Sequence, residues 1–238
     1  MRKGMRLILL IVMVALAVPG VHAQERGIMA SFGGATFKME DMKYFQEYIL
    51  TTYPVEGKII SSFPLYTSFS INYLAQIRPL VRIGAGYVHT TTGAKSDYTD
   101  FSGYIHTNLN ATSHRVGAFA NYTFMGNDKL DLSLFGRLDV NISKIEEATS
   151  IYANGRYNQL INKYRSFSPN LSAGLELMYN FNKFSIGFEG GYLVDFRGKL
   201  ENTGISSDLK DPVDSSRILT SDWTGWRASI KAIYWLDN

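Results

Sequence analysis

The chain has 238 residues, with 24 lysines and arginines against 21 aspartates and glutamates, a formal charge of +3. It has no cysteine, which excludes a disulfide framework and any thiolate metal site. Arg2, Lys3 and Arg6 lie in the first 23 positions and no acidic residue does, so the remainder is charge-neutral and gives no support to nucleic-acid binding.

Residues 1–23 read as a secretory signal peptide. A basic start is followed by an unbroken apolar run from Leu7 to Val18, a break at Pro19-Gly20, and small residues at Val21 and Ala23, so cleavage is expected after Ala23. The apolar run is shorter than the ~20 residues of a membrane-spanning helix. Residues 24–238 are expected to form one domain.

From there, eight segments alternate apolar and polar residues with period two. The first sets Ile28, Ala30 and Phe32 against Gly27, Ser31 and Gly33. The second sets Leu65, Phe69, Ile71, Tyr73 and Ala75 against Ser68, Ser70, Asn72 and Gln76. In the third, Val81, Ile83, Ala85 and Tyr87 oppose Arg82, Gly84 and Gly86; in the fourth, Val116, Ala118, Ala120, Tyr122 and Phe124 oppose Ser113, Arg115, Gly117, Asn121 and Thr123. The fifth, "DLSLFGRLDVNIS", sets Leu132, Leu134, Gly136, Leu138, Val140 and Ile142 against Asp131, Ser133, Phe135, Arg137, Asp139, Asn141 and Ser143. The sixth sets Leu171, Ala173, Leu175, Leu177, Tyr179 and Phe181 against Asn170, Ser172, Gly174, Glu176 and Asn180. The seventh sets Phe184, Ile186, Phe188, Tyr192, Val194 and Phe196 against Ser185, Gly187, Glu189, Gly191 and Asp195. The eighth sets Trp226, Ala228, Ile230, Ala232 and Tyr234 against Arg227, Ser229 and Lys231.

Segments of this length cross a bilayer when tilted, whereas strands of soluble sandwiches are usually about five or six residues long. Residues 77–79, 126–129 and 182–183 read as tight turns, and 38–64, 91–110, 144–166 and 197–221 as long polar loops. Short turns at one end and long loops at the other describe an all-β, eight-stranded antiparallel up-and-down transmembrane barrel with its termini on the periplasmic side. Aromatics sort by strand end: Tyr73, Tyr122, Phe124, Tyr179, Phe181, Phe184 and Tyr234 fall at one, and Tyr87, Tyr192, Phe196 and Trp226 at the other. Within the first loop, residues 39–53 place Met42, Phe45 and Ile49 at helical spacing. That suits a short helix that caps the barrel mouth, lies on the membrane surface or packs on the rim.

In this pattern the chain resembles the small eight-stranded outer-membrane barrels: the OmpA-like and OmpX-like types and the outer-membrane β-barrel domain common in Bacteroidetes. The C-terminal "WRASIKAIYWL" looks like the terminal strand read by the barrel-assembly machinery. The resemblance implies residence in the Gram-negative outer membrane, in contact with lipid and lipopolysaccharide. The peptidoglycan-binding domain that follows many OmpA-like barrels is expected to be absent.

The inward register holds five basic residues, Arg82, Arg115, Arg137, Arg227 and Lys231, and five acidic ones, Asp131, Asp139, Glu176, Glu189 and Asp195. An eight-stranded barrel is just wide enough for side chains to fill. These charges are therefore expected to pair in a structural network that plugs the lumen. The function this supports is a scaffold displaying surface loops for interaction or adhesion, with a protein or glycan ligand. The alternatives are a narrow channel for small solutes and a lipid A-modifying enzyme. For the enzyme, His89 and His114 fall near the outer rim, but the outward neighbours at the required spacing are threonine and valine, so the serine nucleophile is missing. The expectation is no catalytic activity, no cofactor and no metal, since two histidines without a further ligand make a weak site.

Overall fold

The computed structural model describes residues 25–52, 57–153 and 155–236; the expected signal peptide and its cleavage site lie outside them. Strand β1 (Glu25–Ala35) leads into helix α1 (Glu40–Thr52) and the short β2 (Lys58–Ser62). Then come β3 (Tyr66–Arg78), β4 (Val81–Asp100), β5 (Gly103–Gly126), β6 (Leu130–Ala153), β7 (Arg156–Phe181) and β8 (Phe184–Asp195). Four two-residue strands follow, β9 (Gly198–Lys199), β10 (Glu201–Asn202), β11 (Ser207–Asp208) and β12 (Thr220–Ser221), before β13 (Gly225–Trp235).

Among the described residues, eight strands form a ring in the order β1, β3, β4, β5, β6, β7, β8 and β13, every neighbouring pair antiparallel. The β1–β13 ladder, from Gly27↔Trp235 to Ala35↔Arg227, closes it. Closure leaves the barrel wall no free edge, which is the condition for a sheet to cross hydrocarbon. The turn from β7 to β8 is a two-residue hairpin in which Asn182 takes φ 51°, a left-handed conformation that asparagine tolerates and tight hairpins require.

The faces follow the alternation. On β6, Ser133, Phe135, Asp139 and Asn141 are buried, while Leu134 and Leu138 are 52% and 66% exposed. The same holds round the wall, where Phe32, Ile71, Tyr122, Leu175, Phe188 and Ile230 all stand exposed. An apolar belt this continuous has no place in water. At about 3.3 Å per residue and a tilt of about 40°, the stretch from Leu132 to Ile142 rises about 25 Å, the height of an outer-membrane hydrocarbon band.

Above the belt the faces exchange character. Register aligns His89, His114, Ile142 and Phe167 in one row and Thr91, Thr112, Lys144 and Arg165 in the next outward-facing row above it. From there the outward residues are Lys144 and Arg165, while the inward ones, Ala94, Leu109, Ala111, Ile145 and Tyr164, are buried and apolar or aromatic. That exchange marks where lipid gives way to water.

Two expected loops prove to be largely strand. Residues 91–110 and 144–166 continue the β4–β5 and β6–β7 ladders far beyond the belt, with unbroken pairing to Asp100↔Gly103 and Ala153↔Arg156. Polar composition suggested loops, but runs such as Thr90-Thr91-Thr92 are β-branched and favour extended backbone.

The 39–53 segment is helical over Glu40–Thr52, and its face of Met42, Phe45 and Ile49 is buried. It packs inside the extended mouth rather than on a membrane surface. The cluster it joins contains Leu109, Ile145 and Tyr164 from the long hairpins and Leu200, Leu219 and Trp223 from the fourth connection. Gln46, on the same face, donates to Ser61 O, Lys95 O and Ser96 Oγ, tying the helix to β2 and β4.

Candidate functional site

Two regions hold the chemistry: the lumen and the hairpins that project from the membrane. The lumen is layered. At the periplasmic end Met29, Leu74, Phe119, Met178, Ile233 and Trp235 form an apolar cluster. At the outer end sits the α1 cluster, with Trp223 edge-on to Phe37 at 5.4 Å between centroids. The ionic residues interleave with the first cluster: Arg82 lies one inward step nearer the periplasm than the Leu74–Gly84–Phe119 row, and the Arg137 guanidinium stands 5.8 Å over the Phe119 ring.

Strand pairing sets who meets whom there. Glu176, fully buried on β7, takes Arg82 Nη2 on Oε1 at 2.8 Å and Lys231 Nζ on Oε2 at 2.7 Å. Asn121 Nδ2 donates to the same Oε1 at 3.0 Å. Lys231 also pairs with Glu189, which extends the chain to β8. Nearby, Asp139 Oδ1 accepts from Arg137 Nε at 2.7 Å, and Arg115 Nη1 stands 3.8 Å from Asp139 Oδ2. Arg137 completes its bonds on Asn72 Oδ1 and Gly86 O. Phe135 needs the glycines around it: a Cβ on Gly174 or Gly191 would stand 2.7 or 2.8 Å from its ring.

Seven of the ten sequence-predicted lumen residues thus meet in carboxylate–cation contacts, and three do not. Asp131 sits at the periplasmic rim and accepts from Asn180 Nδ2 at 2.8 Å. Asp195 accepts the Trp223 N–H at 2.9 Å, and its own N–H donates to Thr224 Oγ1 at 3.0 Å. Arg227 donates to the carbonyls of Thr36, Trp223 and Trp226, and its guanidinium lies 5.0 Å over the Phe37 ring. Sequence reasoning missed the lower apolar cluster, and of the outer one it named only the helix face of Met42, Phe45 and Ile49. The signal for the lower one was a local loss of alternation, at Tyr73-Leu74, Leu177-Met178 and Ile233-Tyr234-Trp235.

On the exterior, His89 and His114 are register partners with ring centroids 5.1 Å apart. The Tyr87 hydroxyl lies 2.7 Å from His114 Nδ1 and 3.4 Å from His89 Nδ1. No group of three or more metal-binding side chains occurs among the described residues.

The projecting hairpins form a four-stranded sheet of β4–β7. Its tip carries Phe101, Tyr104 stacked on Tyr152 at 5.6 Å, and exposed Tyr157, Leu160 and Ile161. At the β4–β5 turn, Asp100 accepts from Ser102 N, Ser102 Oγ, Gly103 N and Tyr98 Oη. The Tyr98 hydroxyl, with the Ser102 bonds, pulls the Asp100 carboxyl down to about 2. Along β7, Tyr164 and Arg165 pair with β10, and Thr203 N–H donates to Lys163 O. Residues 157–162 have β6 on one side and no strand on the other among the described residues. Lower down, Arg217 ties the fourth connection to α1 by pairing with Asp41, and it also pairs with Asp211 of its own connection.

No family model matches the chain, and no curated protein does. Among solved structures it is similar to Ail, the attachment invasion locus protein of Yersinia pestis, at 11% identity and TM-score 0.37, over 89% of this chain and 97% of that one. It is similar to Neisserial surface protein A at 10% identity and TM-score 0.39, over 88% and 96% of the two chains. The outer membrane protein OprG of Pseudomonas aeruginosa matches at 11% identity and TM-score 0.39, over 91% and 98%. The molecule's own ring of strands, its lipid-facing belt between two aromatic girdles and its inward charges make it a small eight-stranded transmembrane β-barrel.

Proposed function

We propose that the protein is a non-catalytic surface scaffold: a barrel closed to solutes that holds a projecting sheet with an open strand edge, residues 157–162, for binding other macromolecules. It comprises a cleaved leader, residues 1–23, and a single barrel domain, residues 24–238. The observation that carries the reading is the edge at Tyr157–Asn162, where exposed Tyr157, Leu160 and Ile161 flank unpaired backbone well outside the membrane. Such an edge is a template for an added strand, with backbone hydrogen bonds for affinity and alternate side chains for selectivity. A protein or glycan ligand binds there or at the neighbouring tips. Lipid and lipopolysaccharide surround the belt, and the barrel-assembly machinery inserts it.

Closure is supported by the two apolar clusters that fill the lumen together with the ion pairs. A non-catalytic role is supported at the rim, where the hydroxyl beside the histidines is that of Tyr87 and not of a serine.

The chain has no cysteine, so single cysteines report cleanly. Intact cells bearing Gln159→Cys or Leu160→Cys are expected to yield crosslinked adducts that a companion Ile161→Pro, which takes away an edge-facing N–H and blocks strand addition, abolishes. Cysteine at the periplasmic Asn127 is expected to yield a different set. Identical adducts from edge and turn would refute the interaction surface. In planar bilayers the purified protein is expected to show no large steady current; such a current would replace the closed scaffold with the narrow channel.

A further inference from the structure

Between the two apolar clusters the lumen holds a cavity of about 60 Å³, with Arg115, Arg137, Arg227, Lys231 and Glu189 in its walls. Arg115 is only 5% exposed. A guanidinium carries five N–H donors, yet among the described residues its one polar contact is Asp139 Oδ2 at 3.8 Å, too long for a hydrogen bond. The other basic lumen side chains are engaged. Arg82 bonds Ser133 and Glu176, Arg137 bonds Asp139, Asn72 and Gly86, Arg227 bonds three carbonyls, and Lys231 bonds Glu176 and Glu189. Glu189 faces the cavity too, but its charge is matched by Lys231.

Charge points the same way. In the cavity walls themselves four cations, Arg115, Arg137, Arg227 and Lys231, stand against one carboxylate, Glu189. An uncompensated charge held away from bulk water is costly. Water fits any polar cavity above about 10–15 Å³, but it cannot cancel a charge. We propose that this cavity binds a monovalent inorganic anion of the halide class on the free N–H groups of Arg115.

The test uses protein purified from outer membranes and crystallised with bromide in place of chloride, with diffraction recorded at the bromine edge. An anomalous peak is expected against the Arg115 guanidinium, and none in Arg115→Gln. In parallel, unfolding is followed as chloride replaces gluconate at constant ionic strength. The folded-to-unfolded ratio of the wild type should rise about tenfold once chloride reaches about ten times its dissociation constant, while the variant stays flat. If the variant does not fold, the wild-type map and titration decide. A lumen without a bromide peak, with bromide bound only on the exterior or nowhere, and equal stability in chloride and gluconate overturn the site. That outcome leaves the crosslinking and conductance results untouched, so the two readings fail separately.

Discussion

Arg82 on β4 reaches across three strand intervals to Glu176 on β7, Nη2 to Oε1 at 2.8 Å, with both side chains sealed from solvent. Glu176→Gln keeps the shape but leaves buried Arg82 without a counter-charge. It is expected to lower stability by about 3–5 kcal/mol. Glu201→Gln, which breaks the solvent-exposed pair with Arg165, is expected to cost about 0–1 kcal/mol. Urea unfolding in lipid vesicles measures both, and equal losses would mean that Glu176 is wet.

The exchange of faces above Ile142 predicts a depth profile for charge. Leu138→Arg, in the belt, should destabilise the barrel by about 2–4 kcal/mol, and Thr112→Arg, beside Lys144 in the row above the belt, by about 0–1 kcal/mol. Folding yields and unfolding midpoints for the pair check where the boundary lies.

Trp223 is 1% exposed, donates from Nε1 to Ser143 Oγ at 2.7 Å and meets Phe37 edge to face. Trp223→Ala removes the centre of the outer cluster and is expected to cost about 3–5 kcal/mol. Hydrogen exchange should show the loss first in α1, with the β5–β6 ladder still protected. Uniform loss along the barrel would show that helix and wall are one cooperative unit.

At the tip of β4–β5, Asp100 ionises at about 2 rather than its ordinary 3.8 because Tyr98, Ser102 and Gly103 donate to it. A depressed carboxyl stabilises the turn fully above its ordinary value, and the stabilisation disappears as pH falls from about 4 to about 2. Amide exchange at Ser102 and Gly103 should therefore quicken across that window once corrected for intrinsic rates. Asp100→Asn should abolish the dependence.

The wall was legible in the sequence because its two faces meet opposed surroundings, lipid outside and packed polar groups inside, and the contrast repeats every second residue. Above Ser143 the contrast weakens: Asn108 and Asn110 face water, and Thr107 and Thr149 face inward with a mutual hydrogen bond. Alternation fades there although the ladder does not.

The helix was readable from Met42, Phe45 and Ile49, but its destination was not. Leu200, Leu219 and Trp223, which complete its pocket, come from a connection more than 140 residues further along the chain. Within the lumen, residue type named the charged set but not the partners. Arg227 binds carbonyls because backbone oxygens lie at its depth, and Asp131 stays at the rim because its strand begins there.

Met29, Ile233 and Trp235 of the lower apolar cluster all stand on β1 and β13, the first and last strands of the ring, whose pairing closes the cylinder. Lys231 stands there too, as does Arg227. Zipping that seam therefore does two things in one stroke: it finishes the hydrogen-bonded wall and it shuts the floor beneath these charges. A chain stalled one strand short would hold Glu176 without its lysine and open to the periplasm, a state with little to hold it together, so insertion should proceed without a long-lived half-built form.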